Sequence, residues 1–202
     1  MRKPNAVEML HRLCREEQVD IVVGTSMGGM YAQQMYGLPR IIVNPGFHVS
    51  ELLIKELGNE KSIRLPFFSQ RQDGAIYFVV DAQLIREFQE MEAHQFEGVA
   101  TDTTPADHIY ALFGNQDEVV NCEEEYHLRC RGIIEHFNGG HRLNEDVIRS
   151  HIIPRIWRME KPPSPATVAS GDLLPFVGPK PHSVASLKTP VAPREGEMDN
   201  GI

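Results

Sequence analysis

Two spacings of apolar residues alternate along most of this chain. From residue 5 to 18, Val7, Leu10, Leu13 and Cys14 recur at helical spacing with Glu16 and Glu17 on the opposite side, which predicts an amphipathic helix. Asp20-Ile-Val-Val-Gly24 is a continuous apolar run too short for a helix and reads as a buried strand. Residues 27–36 (MGGMYAQQMY) predict a helix that Gly37 ends, and Arg40-Ile-Ile-Val43 predicts the next buried strand. Ile76-Tyr-Phe-Val-Val80 makes a third. Asp81 is placed to cap a helix with Leu84, Ile85, Phe88 and Met91 on one face and Glu87, Glu90 and Glu92 on a solvated one. Asp107–Phe113 and Ile133–Phe137 read as two further strands with a helix over about 121–131 between them. A last helix begins near Asn144, with Val147, Ile148, Ile152 and Trp157 as its buried side and a kink near Pro154. Apolar runs alternating with helical patterns imply parallel strands joined by crossover helices, so the expected class is α/β: three layers around a mostly parallel sheet.

Neither spacing continues past residue 159. Eight of the 14 prolines lie between Pro162 and Pro193, and the reading is one folded domain over 1–159 followed by a disordered Pro-rich tail over 160–202. From residue 161 onward there are four basic residues (Lys161, Lys180, Lys188, Arg194) and four acidic ones (Asp172, Glu195, Glu197, Asp199), so the net charge of −8 belongs to residues 1–160. That balance disfavours nucleic acid and anionic membranes as partners. Cys14, Cys122 and Cys130 are too few and too odd in number for a disulfide framework and read as reduced, buried thiols. No apolar run approaches the ~18 residues of a membrane span, and the expected location is cytoplasmic.

The residues that bear chemistry cluster after strand ends. Gly24-Thr25-Ser26-Met27-Gly28 matches G-x-S-x-G between an apolar strand and a helix. A nucleophilic serine must project from a sharp turn, and glycines two residues either side, Gly24 and Gly28, are expected to relieve the crowding there. The helix start directs the Met27 N–H toward an oxyanion formed beside Ser26. Roughly one chain of this length in fifteen carries such a pattern by chance, so the base and its orienting acid decide the matter. Asp117 follows the strand at 107–113, within Gly114-Asn-Gln-Asp117, and His141 follows the strand at 133–137, within Asn138-Gly-Gly-His141. All three candidates fall at the carboxyl ends of strands, where parallel sheets build their sites.

Among the other histidines, His11, His127 and His151 fall on helices, His108 and His136 within strand patterns, and His182 in the tail. His48, just past Asn44-Pro45-Gly46-Phe47, is a candidate for lining a pocket, as is Asn44. Glu118 adjoins Asp117 but points differently, whereas Asp102 and Asp107 precede a strand. Cys122, His127 and Cys130 have the wrong spacing for zinc and no fourth ligand, so no metal is expected. Walker, dinucleotide-binding and basic-aromatic patterns are missing as well.

These residues resemble the small single-domain α/β-hydrolase esterases of the YqiA/YcfP type. The likeness rests on Asp20-Ile-Val-Val-Gly-Thr-Ser-Met-Gly-Gly-Met-Tyr-Ala32, Val43-Asn-Pro-Gly46, Leu112-Phe-Gly-Asn-Gln-Asp117 and Gly139-Gly-His141, and covers about residues 5–158. It implies a cofactor-free esterase or thioesterase acting on a small-molecule ester or thioester, with Ser26 as nucleophile, His141 as base and Asp117 as acid, in the chain order of that fold. Family members open with a strand ending in a His-Gly loop and a second strand, whereas 19 residues precede Asp20 here. The expectation is therefore an N-terminally shortened member that lacks its second oxyanion donor, a loss of about 3 kcal/mol or 10²- to 10³-fold in rate. Its first strand would have an open edge favouring self-association into a homo-oligomer. Two alternatives stay open, a non-catalytic hydrolase scaffold and an acyltransferase using the same triad. The loop after Val43 and the region from Gly58 to Asp73 are expected to line the pocket.

Overall fold

The computed structural model describes residues 6–67, 71 and 74–160, so the proline-rich segment read as a disordered tail lies outside the described residues from 161 onward. Helix α1 (Ala6–Glu16) comes first and contains no buried residue. Strands β1 (Val22–Thr25) and β2 (Arg40–Val43) flank helix α2 (Met27–Gln33). Helix α3 (Val49–Leu57), strands β3 (Ser62–Pro66) and β4 (Tyr77–Asp81) and helix α4 (Ala82–His94) follow. Strand β5 (Ile109–Gly114), helix α5 (Glu123–Arg129) and strand β6 (Ile133–Phe137) lead to α6 (Glu145–Val147), a π turn over Ile148–Ile152 and α7 (Ile153–Glu160).

Four strands form one parallel sheet in the order β1-β2-β5-β6. Alternation along each strand divides the core in two. Val22, Ile42, Ile109, Ala111, Phe113 and Ile134 face the layer built from α2, α3, α4 and α5. Val23, Ile41, Val43, Tyr110, Leu112, Ile133 and Phe137 face the segment from α6 to α7. Both faces being covered explains why the central strands β2 and β5 read as nearly continuous apolar runs. The register sets Thr25 beside Val43, Val43 beside Leu112, and Gly114 beside Phe137, so the carboxyl ends of all four strands share one edge. Among the described strands, β1 pairs on one side only. No helix among the described residues is long and apolar enough to cross a membrane.

Three expectations are corrected. The run at 76–80 is no third strand of the parallel sheet. It forms β4, which pairs antiparallel with β3 in a separate two-stranded sheet whose inner face (Ile63, Leu65, Phe78, Val80) packs on the α3–α4 layer while Tyr77 and Val79 are exposed. Glu92 does not join the solvated side of α4, because its carboxylate accepts hydrogen bonds from the Ser50 N–H at 2.7 Å and from the Ser50 hydroxyl, tying the first turn of α3 to α4. Trp157 is 63% exposed, and Ile156 and Met159 face the core instead. Ile152, Ile156 and Met159 follow one another at spacings of four and three, which keeps them on one face of the helix, whereas Trp157, five residues after Ile152, falls off that face. Pro154, lacking an N–H, cannot bond the Ser150 carbonyl one turn back, and the Arg155 guanidinium donates to that oxygen at 3.2 Å. Asp102 precedes β5, as expected, and is buried there.

Arg40 begins β2 yet is 0% exposed, and its guanidinium donates to the Asp102 carboxylate at 2.6 Å. The other Asp102 oxygen accepts from the N–H groups of Gly37 and Thr104 and from the Thr104 hydroxyl. Arg131 donates to the carbonyls of Asp102 and Thr104. This network clamps the amino end of β2 to the segment entering β5. Burial works to raise the Asp102 carboxyl, but the hydrogen bonds from Gly37, Thr104 and Arg40 outweigh it and hold the group down to about 2, against an ordinary 3.8. A carboxyl lowered by folding stabilises the native state fully above its unfolded value. That stabilisation, about 2 kcal/mol, is lost as pH falls from about 4 to about 2. Asp102→Asn should remove this loss from the acid limb of the stability curve. It should also cost about 3–5 kcal/mol at pH 7, because Arg40 is left charged and unpaired. Denaturant midpoints measured from pH 7 to pH 2 check both, and a variant as stable as the parent at pH 7 would contradict the clamp.

Candidate active site

The turn from β1 into α2 holds Ser26 at φ 56° and ψ −124°, a backbone conformation that side chains with a Cβ rarely adopt. Several backbone hydrogen bonds maintain it. The Ser26 N–H donates to the Val43 carbonyl at 2.9 Å, and the Ser26 carbonyl accepts from Gly29, Met30 and Gly46 at 2.9, 3.2 and 3.0 Å. Gly24 is required by close approach, since a Cβ there would lie 2.0 Å from the Gly28 carbonyl oxygen and 2.8 Å from the Ala32 Cβ. Gly28 is not, because a Cβ at that position meets nothing within 4 Å. The steric reason expected for both elbow glycines therefore holds for Gly24 alone. Gly29 does the work on the helix side, where a Cβ would sit 3.0 Å from the Pro45 Cα.

Asp117 and His141 come to Ser26 from the loops after β5 and β6. The Val119 and Val120 N–H groups both donate to one Asp117 carboxylate oxygen, at 2.8 and 3.1 Å. The other oxygen faces His141 Nδ1 at 2.8 Å. His141 Nε2 lies 2.8 Å from Ser26 Oγ. A carboxylate only accepts, so Nδ1 carries the ring proton and Nε2 is left with a lone pair toward the serine hydroxyl. The Asp117 side chain is almost completely buried and that of His141 largely so. The loops that carry them are bound to each other. Asn115 donates to the Phe137 carbonyl and Gln116 to the Gly139 carbonyl, each at 3.0 Å.

The remaining candidates take other places. Met27 stands in the first turn of α2, where an N–H has no acceptor within the helix and stays available to an oxyanion. Asn44 is 1% exposed and does not line a pocket. Its amide is used up by the backbone of the neighbouring loops, donating to the Gly140 and His141 carbonyls at 3.1 Å each and accepting from the Gly114 N–H at 2.8 Å. His48 lies at the surface ahead of α3, where Nε2 meets the Glu125 carboxylate at 2.6 Å, so α5 engages its ring. Cys122 and Cys130 pack into the α3–α5 layer, and burial raises both thiols, that of Cys130 to about 12. Burial also raises the Cys14 thiol, so none of the three is a ready thiolate at neutral pH. Of the segment 58–73 expected to line the pocket, residues 68–70, 72 and 73 lie outside the described residues, and 62–66 form β3.

The model of an uncharacterised protein family, UPF0227, matches residues 3–153. Among solved structures, Est1E from Butyrivibrio proteoclasticus superposes with a TM-score of 0.50 at 15% identity, covering 76% of this chain and 67% of that one. A monoacylglycerol lipase from Paleococcus ferrophilus gives 0.51 at 15% identity over 76% of this chain and 74% of the lipase. A structure from a study of LipS and LipT, two metagenome-derived lipolytic enzymes, gives 0.50 at 15% identity over 74% and 68%. At such identities the likeness is one of fold, and the fold is that of the α/β-hydrolases.

Proposed function

The chain belongs to the UPF0227 family, and from that premise we propose that it is a serine hydrolase that cleaves carboxylic esters or thioesters through an acyl-enzyme on Ser26. One observation carries the reading: two contacts of 2.8 Å join Ser26, His141 and Asp117 in a single line. The solved neighbours that are named as a monoacylglycerol lipase and as lipolytic enzymes agree with a carboxylic ester as substrate.

In this scheme Ser26 Oγ attacks the acyl carbonyl while His141 Nε2 takes the hydroxyl proton. Charge then develops on the substrate oxygen, to which the Met27 N–H donates. The imidazolium returns its proton to the leaving alcohol or thiol as the tetrahedral species collapses, leaving the acyl group on Oγ. Water, deprotonated by the same nitrogen, releases the acid. Asp117 accepts from Nδ1–H throughout and stabilises the charged ring.

A fluorophosphonate probe tests this directly. Its phosphorus is attacked by an activated serine Oγ with loss of fluoride, and peptide mapping locates the adduct. The expected result is a single adduct on Ser26. An unlabelled folded protein, or an adduct on another residue, overturns the proposal.

A further inference from the structure

We propose that Asn44 is a positioning residue that sets the catalytic base, an inference that rests on the serine-hydrolase reading of Ser26 and His141. Asn44 directly follows β2, the strand that lies between the nucleophile's strand β1 and the acid's strand β5. Its N–H continues the sheet by donating to the Leu112 carbonyl at 2.9 Å, and its φ of 43° lies in the left-handed region, which asparagine tolerates better than most residues. That backbone turns the side chain across the sheet edge instead of along it.

The amide then meets both partner loops at once. Its oxygen accepts from Gly114, three residues before Asp117. Its two N–H groups go to the carbonyls of Gly140 and of His141 itself. Fixing the peptide of His141 fixes the direction in which its Cβ leaves the chain, and so where the ring sits between Ser26 and Asp117. The loops are close enough here that a Cβ on Gly114 would lie 2.6 Å from the Gly139 oxygen and 2.8 Å from the Gly140 oxygen. The same turn reaches the nucleophile, since Val43 accepts from the Ser26 N–H and Gly46 donates to the Ser26 carbonyl. Two donors and an acceptor at the end of a short planar side chain are what this junction uses, and an amide supplies them.

Asn44→Gly deletes the amide while keeping a residue at ease with positive φ. The expected result is a fall of about 10- to 100-fold in kcat for an activated ester and in the rate of fluorophosphonate labelling, with KM little changed, as for a misplaced reacting group. The downfield proton resonance of His141 Nδ1–H, which reports its bond to Asp117 whether or not the protein turns over, should be lost by exchange while circular dichroism shows the parent fold. Asn44→Asp keeps the shape and the acceptor for Gly114 but removes both N–H donors, and should show the same loss at His141. Parent-like rates and an unchanged resonance in either folded variant overturn the proposal. A parent chain that shows the resonance but is never labelled would end the hydrolase reading alone, and loss of that resonance in Asn44→Gly would still uphold the positioning role.

Discussion

Ser26→Ala is expected to lower kcat for an activated ester by about 10⁶-fold and to leave the melting temperature near that of the parent. The size of the effect follows from how the triad divides its work. His141 and Asp117 have nothing to deprotonate once Oγ is gone, so removing the nucleophile removes nearly all that the three accomplish together, and only substrate binding and the Met27 donor remain. The small effect on stability follows from the backbone. Alanine meets the same penalty as serine at φ 56°, and the lost hydrogen bond is one that a half-exposed site replaces with water. Ser26→Gly, equally inactive, should instead melt above the parent, because glycine escapes a strain of about 1–3 kcal/mol stored at the elbow. Kinetics and thermal melts on the three proteins check this. Turnover by Ser26→Ala within tenfold of the parent would remove Ser26 from the chemistry.

Local pattern was enough to pick out Ser26, Asp117 and His141, which the fold brings within hydrogen-bond reach, and not the parts that hold them. Arg40–Val43 was legible to the residue because a doubly covered parallel strand leaves a nearly continuous apolar run, and Ile133–Phe137 because apolar residues bracket Glu135 and His136 at strand length. With those strands placed, the loops carrying Asp117 and His141 had to open on one edge. Burial by contrast misled at Ile76–Val80. An apolar run says that a strand wants a partner, but the partner, Ser62–Pro66, alternates over only five residues, and nothing local says that the two pair apart from the parallel sheet. At Trp157 the expected phase was wrong, since helical spacing from Ile152 already selects Ile156 and Met159 as the buried side. The roles of Asp102 and Asn44 were hidden for a different reason. Each is a single polar residue whose meaning lies in what it meets 62 positions away at Arg40, or 97 away at His141. The strained φ at Ser26 was legible only because a glycine two residues before it leaves room for the Gly28 carbonyl.

Asp117→Asn is the second substitution with a large expected effect, and its interest is that it changes almost no volume. One Asp117 oxygen accepts from two backbone N–H groups, Val119 and Val120, so an asparagine orients its own carbonyl oxygen there and turns its NH2 toward His141 Nδ1. Two donors cannot face each other, and the ring responds by moving its proton to Nε2. Nε2 then points an N–H at Ser26 Oγ where a lone pair is needed, and the base is present, correctly placed and in the wrong tautomer. A fall of about 10⁴-fold in kcat with little change in KM is expected, the loss known for this exchange in a serine triad. Stability should change little, since the loop keeps both of its N–H bonds. The downfield Nδ1–H resonance of His141 should vanish although the ring has not moved. Glu118, exposed beside Asp117, is the control for the acid's identity. Loss of activity in Glu118→Gln together with near-parent turnover in Asp117→Asn would assign the acid to the neighbouring residue and contradict the geometry, whereas the reverse pattern requires a carboxylate at 117 in particular.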